Sequence, residues 1–373
     1  MKIGFISEFD LADKKAWSGT ISFLSETLSK DYDVYPIVVK GSAVQTFLKK
    51  FIKFISLKHW NYTIIDKFIY GIKVNNRLKQ AVKSGVKVFF APAASRLLGN
   101  ANIPDGCKVI YLSDTTYHLM IDYYFFGVSK NDKKHFNKSE QDALDRATDI
   151  IYSSDWAKQD AISYYGVNED KIHVLPFGGN LRDEYYPKKA LDKKNIKILF
   201  VGVDWERKGT DIAIDCVNKL NQLETDFHFE LNIIGLEEPK DRSFGDDIRF
   251  IGKLNKNNID EFKKMINYYQ TSDIFLLPTK AECAGIVFSE ASMYGLPIFT
   301  HNTGGVMTYV DEGRTGRGLK LGSTSEDFAK AILQMIKDDN YLEWSLNARE
   351  KYEKELNWDK WYHDFKTIVE SYR

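Results

Sequence analysis

An α/β fold with parallel sheets in two domains is predicted by three observations. Short apolar runs that end in glycine, proline or polar residues alternate with segments of helical spacing. Strand, loop, helix and next strand follow one another directly, which is the unit of a parallel sheet. At 373 residues the chain has room for two domains, and the alternation breaks once, in the polar stretch 180–195.

The first domain opens with a buried strand over residues 2–7. Its loop carries Trp17-Ser18-Gly19-Thr20, and Ile21, Leu24 and Leu28 mark one face of the helix that follows. Gly19 either lets a phosphate approach the backbone or is a plain turn glycine. Residues 32–39, 87–91 and 108–112 read as further strands. The last of these runs into Ser113-Asp114-Thr115-Thr116-Tyr117-His118. Asp114 and His118 are candidates there, although a loop His is often structural and Asp114 could cap the next turn. Tyr123-Tyr124-Phe125-Phe126 is an aromatic cluster, either core or groove lining. A helix over 139–148 leads to a strand over 149–152, a helix capped by Ser153-Ser154-Asp155 and ended by Gly166, and a short strand over 171–175.

Between the second and third strands the composition shifts. Eleven cations (Lys40, Lys49, Lys50, Lys53, Lys58, Lys67, Lys73, Arg77, Lys79, Lys83, Lys87) face one acid, Asp66. Phe47, Phe51, Phe54 and Ile55 have helical spacing among them. The segment is either an amphipathic helix with a solvated basic face or a peripheral contact with anionic lipid.

The second domain begins with a strand over 196–201, then Gly202 and Asp204-Trp205-Glu206-Arg207-Lys208-Gly209, then a helix over 210–223. Strands over 227–235 and 248–251 and a helix over 259–269 follow. The sharpest stretch is next. A strand over 274–277 stops at Pro278, a loop carries Glu282 and Gly285, and a helix runs from Ile286 to Gly295. Ligands of parallel sheets sit at the carboxyl ends of the strands, where Glu282 falls. The first N–H groups of the helix would face an anion, and Gly285 allows close approach. Glu290 lies about one turn further in. A strand over 297–300 leads into His301-Asn302-Thr303-Gly304-Gly305, a glycine-rich loop at a strand end. Residues 312–316 read as a turn. Three helical segments close the chain, the last opened by Trp358-Asp359-Lys360-Trp361-Tyr362, whose aromatics imply packing.

Composition narrows the function classes. Hydrophobic residues at 43% and charged residues at 28% fit a soluble globular protein, and a formal net charge of +0 gives nucleic acid no support. Cys107, Cys216 and Cys283 lie far apart without metal spacing, which fits a reducing compartment. The apolar run at the start is too short for a signal peptide, and no run approaches the ~20 residues of a membrane span.

Glu282 and Glu290 bracket seven residues between a strand end and a helix. With Leu277-Pro278-Thr279, Glu290-Ala291 and Gly295-Leu296-Pro297, this resembles the E-x7-E motif of family 4, or group 1, retaining glycosyltransferases. The resemblance implies two Rossmann-like domains facing a cleft, the GT-B architecture. Residues 1–180 would be the acceptor domain and 181–356 the donor domain, with a final helix over about 357–373 crossing back to the first. It implies a nucleotide-sugar donor, a UDP- or GDP-sugar, as co-substrate. It implies a glycan or lipid-linked acceptor, no further cofactor and no metal, and a cytoplasmic enzyme with optional peripheral contact at an anionic membrane. Glu282 would orient the sugar hydroxyls with the Gly285-Ile286 backbone, and Glu290 would take the ribose. Arg207 and Lys208 would hold the diphosphate, while Gly19, Gly304 and Gly305 would lie near phosphate. Asp114 and His118 would face the donor sugar. Two positions depart from the pattern. The family's usual Arg directly after the glycine is Val203 here, and Met307-Thr308 stands where a Pro-Glu pair is usual. A non-catalytic nucleotide-sugar-binding protein on the same fold is the alternative; Glu282, Lys208 and Glu290 all being present argues against it.

Overall fold

The computed structural model describes residues 1–14, 16–40, 70–192, 194–223 and 226–372. Most of the basic segment, including Lys49, Lys50, Lys53, Lys58 and Lys67, therefore lies outside the described residues. The chain divides into two compact units, Met1–Leu175 with Tyr362–Arg373, and Pro176–Trp361. The sequence placed the boundary a few residues later. Residues 177–180 go with the second unit because of their bonds. The Phe177 N–H donates to the Tyr309 hydroxyl at 3.1 Å, Ser289 donates to the Phe177 carbonyl at 2.7 Å, and Trp358 Nε1 donates to Asn180 Oδ1 at 3.0 Å.

The first unit is a six-stranded parallel sheet. Its strands are β1 (Lys2–Ser7), β2 (Asp33–Val38), β3 (Val88–Pro92), β4 (Lys108–Ser113), β5 (Asp149–Tyr152) and β6 (Ile172–Val174), in the order β2-β1-β3-β4-β5-β6. The central strands are apolar on both faces, as a covered parallel sheet requires. The end of the last helix, Trp358–Glu370, packs against this sheet through Phe365, which meets Phe90 edge-on at 5.1 Å. Tyr362 and Lys366 both reach Asp31, at 2.8 and 3.1 Å.

The helix expected over 139–148 is longer, Lys130–Arg146. Ser129 caps it, accepting from the Asp132 N–H at 3.1 Å. Its first turns carry lysines and little apolar surface, so periodicity begins only where the helix meets the sheet. There Glu140 is buried and accepts from the Tyr111 hydroxyl at 3.0 Å. Burial pushes its carboxyl from an ordinary value of 4.5 up to about 7. The folded value lies above the unfolded one, so this contribution to stability is full below about pH 4.5 and is lost as pH rises through 7. Glu140→Gln does not titrate. Urea unfolding at pH 5 and pH 8 should show the wild type losing on the order of 3 kcal/mol relative to the variant across that interval. Parallel behaviour of the two proteins would mean that Glu140 is ionised in the native state throughout.

The second unit repeats the plan. Its strands are β7 (Ile196–Val201), β8 (Phe229–Ile234), β9 (Ile248–Gly252), β10 (Ile274–Leu277), β11 (Ile298–Asn302) and β12 (Gly316–Lys320), in the order β12-β11-β10-β7-β8-β9, all parallel. Both sheets are Rossmann-like. Strand β12 begins where the sequence reads as a turn. A Cβ at Gly316 would stand 2.0 Å from the Ile298 carbonyl oxygen, so the close approach of β11 calls for glycine there. No helix among the described residues is long and apolar enough to cross a membrane.

Candidate active site

Strands β7, β10 and β11 are neighbours, so the loops at their carboxyl ends meet. After β7, Asp204 caps a one-turn helix, Trp205–Lys208, by accepting from the Arg207 N–H at 2.9 Å. That turn directs Lys208 inward, where it is buried, and leaves Arg207 half-buried. After β10, the Lys280 N–H donates to the Arg207 carbonyl at 2.7 Å, and the Thr279 hydroxyl donates to the Ala281 carbonyl at 3.0 Å. These bonds set Glu282 beside the two cations. Lys208 Nζ donates to the buried Glu282 carboxylate, and Arg207 Nη1 lies 3.9 Å from the same oxygen. Arg207 also donates to the Ala281 carbonyl at 3.2 Å. Val203, where an Arg was usual, is 68% exposed and points to solvent. Arg207 reaches the cluster from one turn later.

The β11 loop completes the group. The Gly305 N–H donates to the Glu282 carbonyl at 3.2 Å, and Thr303 donates to the Lys280 carbonyl at 3.3 Å. Gly304 has φ 56°. Gly285, with φ 69° and ψ 63°, turns the chain into the helix Ile286–Met293. Only glycine holds that left-handed conformation without strain. No side chain caps this helix; the Phe288 N–H donates to the Gly285 carbonyl at 2.8 Å, which leaves the Ile286 and Val287 N–H groups to face an anion.

Glu290 points elsewhere. It is 1% exposed, and its two oxygens accept from Lys256 Nζ at 2.7 Å and from the Tyr269 hydroxyl at 2.9 Å. Burial, then the Glu290 charge, push the Tyr269 ionisation far up, so it remains a phenol donor. Sequence reasoning missed both partners. Lys256 sits in a polar run that reads as solvated loop, and Tyr269 reads as one more apolar position of the helix Ile259–Thr271.

The first unit holds the other candidates. Gly19, φ 91°, precedes the helix Thr20–Leu28, which has no side-chain cap. Trp17 and Ser18 beside it also have positive φ, 47° and 59°. Trp17 Nε1 donates to Asp114 Oδ2 at 3.4 Å, tying the loop after β1 to the loop after β4. His118 lies in the short helix Tyr117–Met120 that follows β4; its Nδ1 is 2.8 Å from Asp160 Oδ1. Asp160 was not singled out from the sequence, where it is one polar residue of the helix Asp155–Ser163. Glu282, Lys208, Arg207, Gly285 and Gly305 thus form one constellation in the second unit, with Glu290 one helical turn on. Gly19, Asp114 and His118 belong to the first unit. Among the described residues no group of three or more His, Cys, Asp or Glu is arranged to hold a metal.

Comparison with known proteins bears on this constellation. Residues 182–354 match the family described as glycosyl transferases group 1. The match spans most of the second unit. The chain is 24% identical to D-inositol 3-phosphate glycosyltransferase of Paenarthrobacter aurescens, over 54% of this chain and 52% of that protein. The lipopolysaccharide glucosyltransferase WaaG of Escherichia coli is 22% identical over 69% of this chain and 72% of its own. The chain spans about half the length of the curated relatives it matches first. Among solved structures, sucrose-phosphate synthase from Thermosynechococcus elongatus has a TM-score of 0.69 at 16% identity, covering 99% of this chain and 98% of that one. HepE of Anabaena, solved in complex with UDP, has a TM-score of 0.66 at 16% identity, covering 100% of both chains. These likenesses establish the fold, GT-B, in which the group 1 domain is the second of two Rossmann-like domains.

Proposed function

We propose that this chain is a retaining, metal-independent glycosyltransferase that moves a sugar from a UDP- or GDP-sugar to an acceptor hydroxyl on a glycan or lipid-linked glycan. The observation that carries the reading is the meeting of Lys208, Arg207 and the uncapped helix N-terminus at Gly285 around one buried carboxylate, Glu282. A leaving nucleoside diphosphate gains negative charge as the glycosidic bond breaks. Preformed cations and helix N–H groups stabilise that charge without reorganising. Glu282 orients the sugar hydroxyls, and Glu290 accepts from the ribose while holding Lys256. The bond between the anomeric carbon and the diphosphate oxygen breaks, and the acceptor oxygen bonds to the same face of that carbon. The acceptor proton passes to the departing phosphate. His118 and Asp114 are further contacts offered to a sugar hydroxyl. A cytoplasmic enzyme, peripheral at an anionic membrane when the acceptor is lipid-linked, is the setting this reaction suits.

The test is nucleotide release by the purified protein from a panel of UDP- and GDP-sugars, with and without a chelator. One donor should turn over, with activity retained in chelator and the product's anomeric configuration matching the donor's. Tight nucleotide-sugar binding without release would instead favour a non-catalytic binding protein.

A further inference from the structure

His118 is held more firmly than a loop side chain needs to be. Its ring stacks on Tyr164 with centroids 3.6 Å apart and planes 6° from parallel. Its backbone N–H donates to the Tyr165 hydroxyl at 3.1 Å. Both tyrosines are in turn fixed by Asn137, which donates to the Tyr164 hydroxyl at 3.1 Å and accepts from the Tyr165 hydroxyl at 2.9 Å. The ring meets Asp160 through Nδ1 at 2.8 Å, while the His118 side chain stays 39% exposed. Among the described residues Nε2 has no partner.

Asp160 is unusual in its own right. It is 8% exposed and makes no ion pair with a Lys or Arg among the described residues. Its second oxygen accepts from the Thr116 hydroxyl. Thr116 Oγ1 itself accepts from the Leu119 N–H at 3.3 Å, so its own proton is the one turned to Asp160. A buried carboxylate costs free energy unless its lone pairs are filled. Here the ring N–H of His118 does part of that filling, which requires the proton on Nδ1; in the neutral ring Nε2 is then the acceptor.

We propose that Asp160 is the positioning residue for His118, and that it holds the ring in the Nδ1–H form so that Nε2 accepts a hydrogen bond from a sugar hydroxyl. The role rests on the glycosyltransferase reading for its ligand, but the tautomer does not. Replacing Asp160 by Asn tests it with little change of shape. The Thr116 proton and the engaged Thr116 lone pair draw the amide oxygen, which turns the amide N–H₂ toward Nδ1. Nδ1 must then accept, and the proton moves to Nε2.

Long-range ¹H–¹⁵N correlation of ¹⁵N-labelled protein reads the tautomer directly, with the His118 signal among seven histidines identified by its loss in His118→Gln. Wild type should show a protonated Nδ1 and a bare Nε2, and Asp160→Asn the reverse. With the sugar donor found by nucleotide release, Asp160→Asn should lower kcat/KM about tenfold, the scale of one lost hydrogen bond. Asp160→Asn combined with His118→Ala should be no worse than His118→Ala alone. A protonated Nε2 in wild type, an unchanged tautomer in the variant, or multiplying losses would each overturn the assignment. If no sugar nucleotide turns over at all, the parent reading fails, and the tautomer measurement still decides whether Asp160 sets the ring.

Discussion

Glu282→Gln is expected to lower turnover on the order of 10²-fold, the cost of an approximately 1 Å misplacement of a reacting group. The carboxylate sits at the carboxyl end of β10 with Lys208 and Arg207 against it, and the Gly305 N–H donates to the Glu282 backbone carbonyl. An amide keeps the size but loses the charge-assisted bond and turns one of the two acceptor oxygens into a donor. Affinity for free nucleoside diphosphate should hold or rise, because Lys208 is then freed from its carboxylate. Glu290→Gln should differ, raising the donor Michaelis constant with turnover little changed, since a ribose contact is made equally in ground and transition states. Steady-state kinetics with the working donor distinguishes the two. If neither substitution moves either parameter, the E-x7-E assignment is wrong.

Lys208→Ala should weaken nucleoside diphosphate binding by about 1.5–3 kcal/mol, roughly 10- to 150-fold, the scale of a charged hydrogen bond. Calorimetry with UDP and GDP reads this directly, and unchanged affinity would remove Lys208 from the donor site. The same change should destabilise the fold. Glu282 would remain buried with Arg207 3.9 Å away but without its bonded cation. Breaking a buried pair by removing one member costs about 3–5 kcal/mol, and the residual Arg207 contact places the expectation at the lower end. The double variant Lys208→Ala, Glu282→Gln should recover most of the stability but none of the diphosphate affinity, which separates the two effects.

Much of this site is legible in the sequence because short-range rules place it. The β7 and β10 strands end at Gly202 and Pro278, and a parallel sheet presents such ends on one edge. Lys208 and Glu282 therefore both fall on that edge, and the adjacency of β7 and β10 in the folded sheet brings them together. Where the chain departs from local rules the sequence is silent. Gly316 opens strand β12 because the Ile298 carbonyl comes too close for a side chain, yet in sequence its glycines read as a turn. The start of Lys130–Arg146 is capped by Ser129 but lacks an apolar stripe, so it leaves no periodic signal.

What the sequence by itself determined is the two-sheet α/β plan and the place of Arg207, Lys208, Glu282 and Gly285 in loops at strand ends. Those follow from alternating apolar runs, strand-ending residues and spacing along the chain, all local quantities. What only the tertiary structure decided is which buried charge meets which partner. Lys256 and Tyr269 reach Glu290 from 34 and 21 residues away, and His118 finds Asp160 across 42. No spacing rule links such pairs. They meet because the sheets bring separate loops together, and once buried, a carboxylate must find donors wherever the fold supplies them.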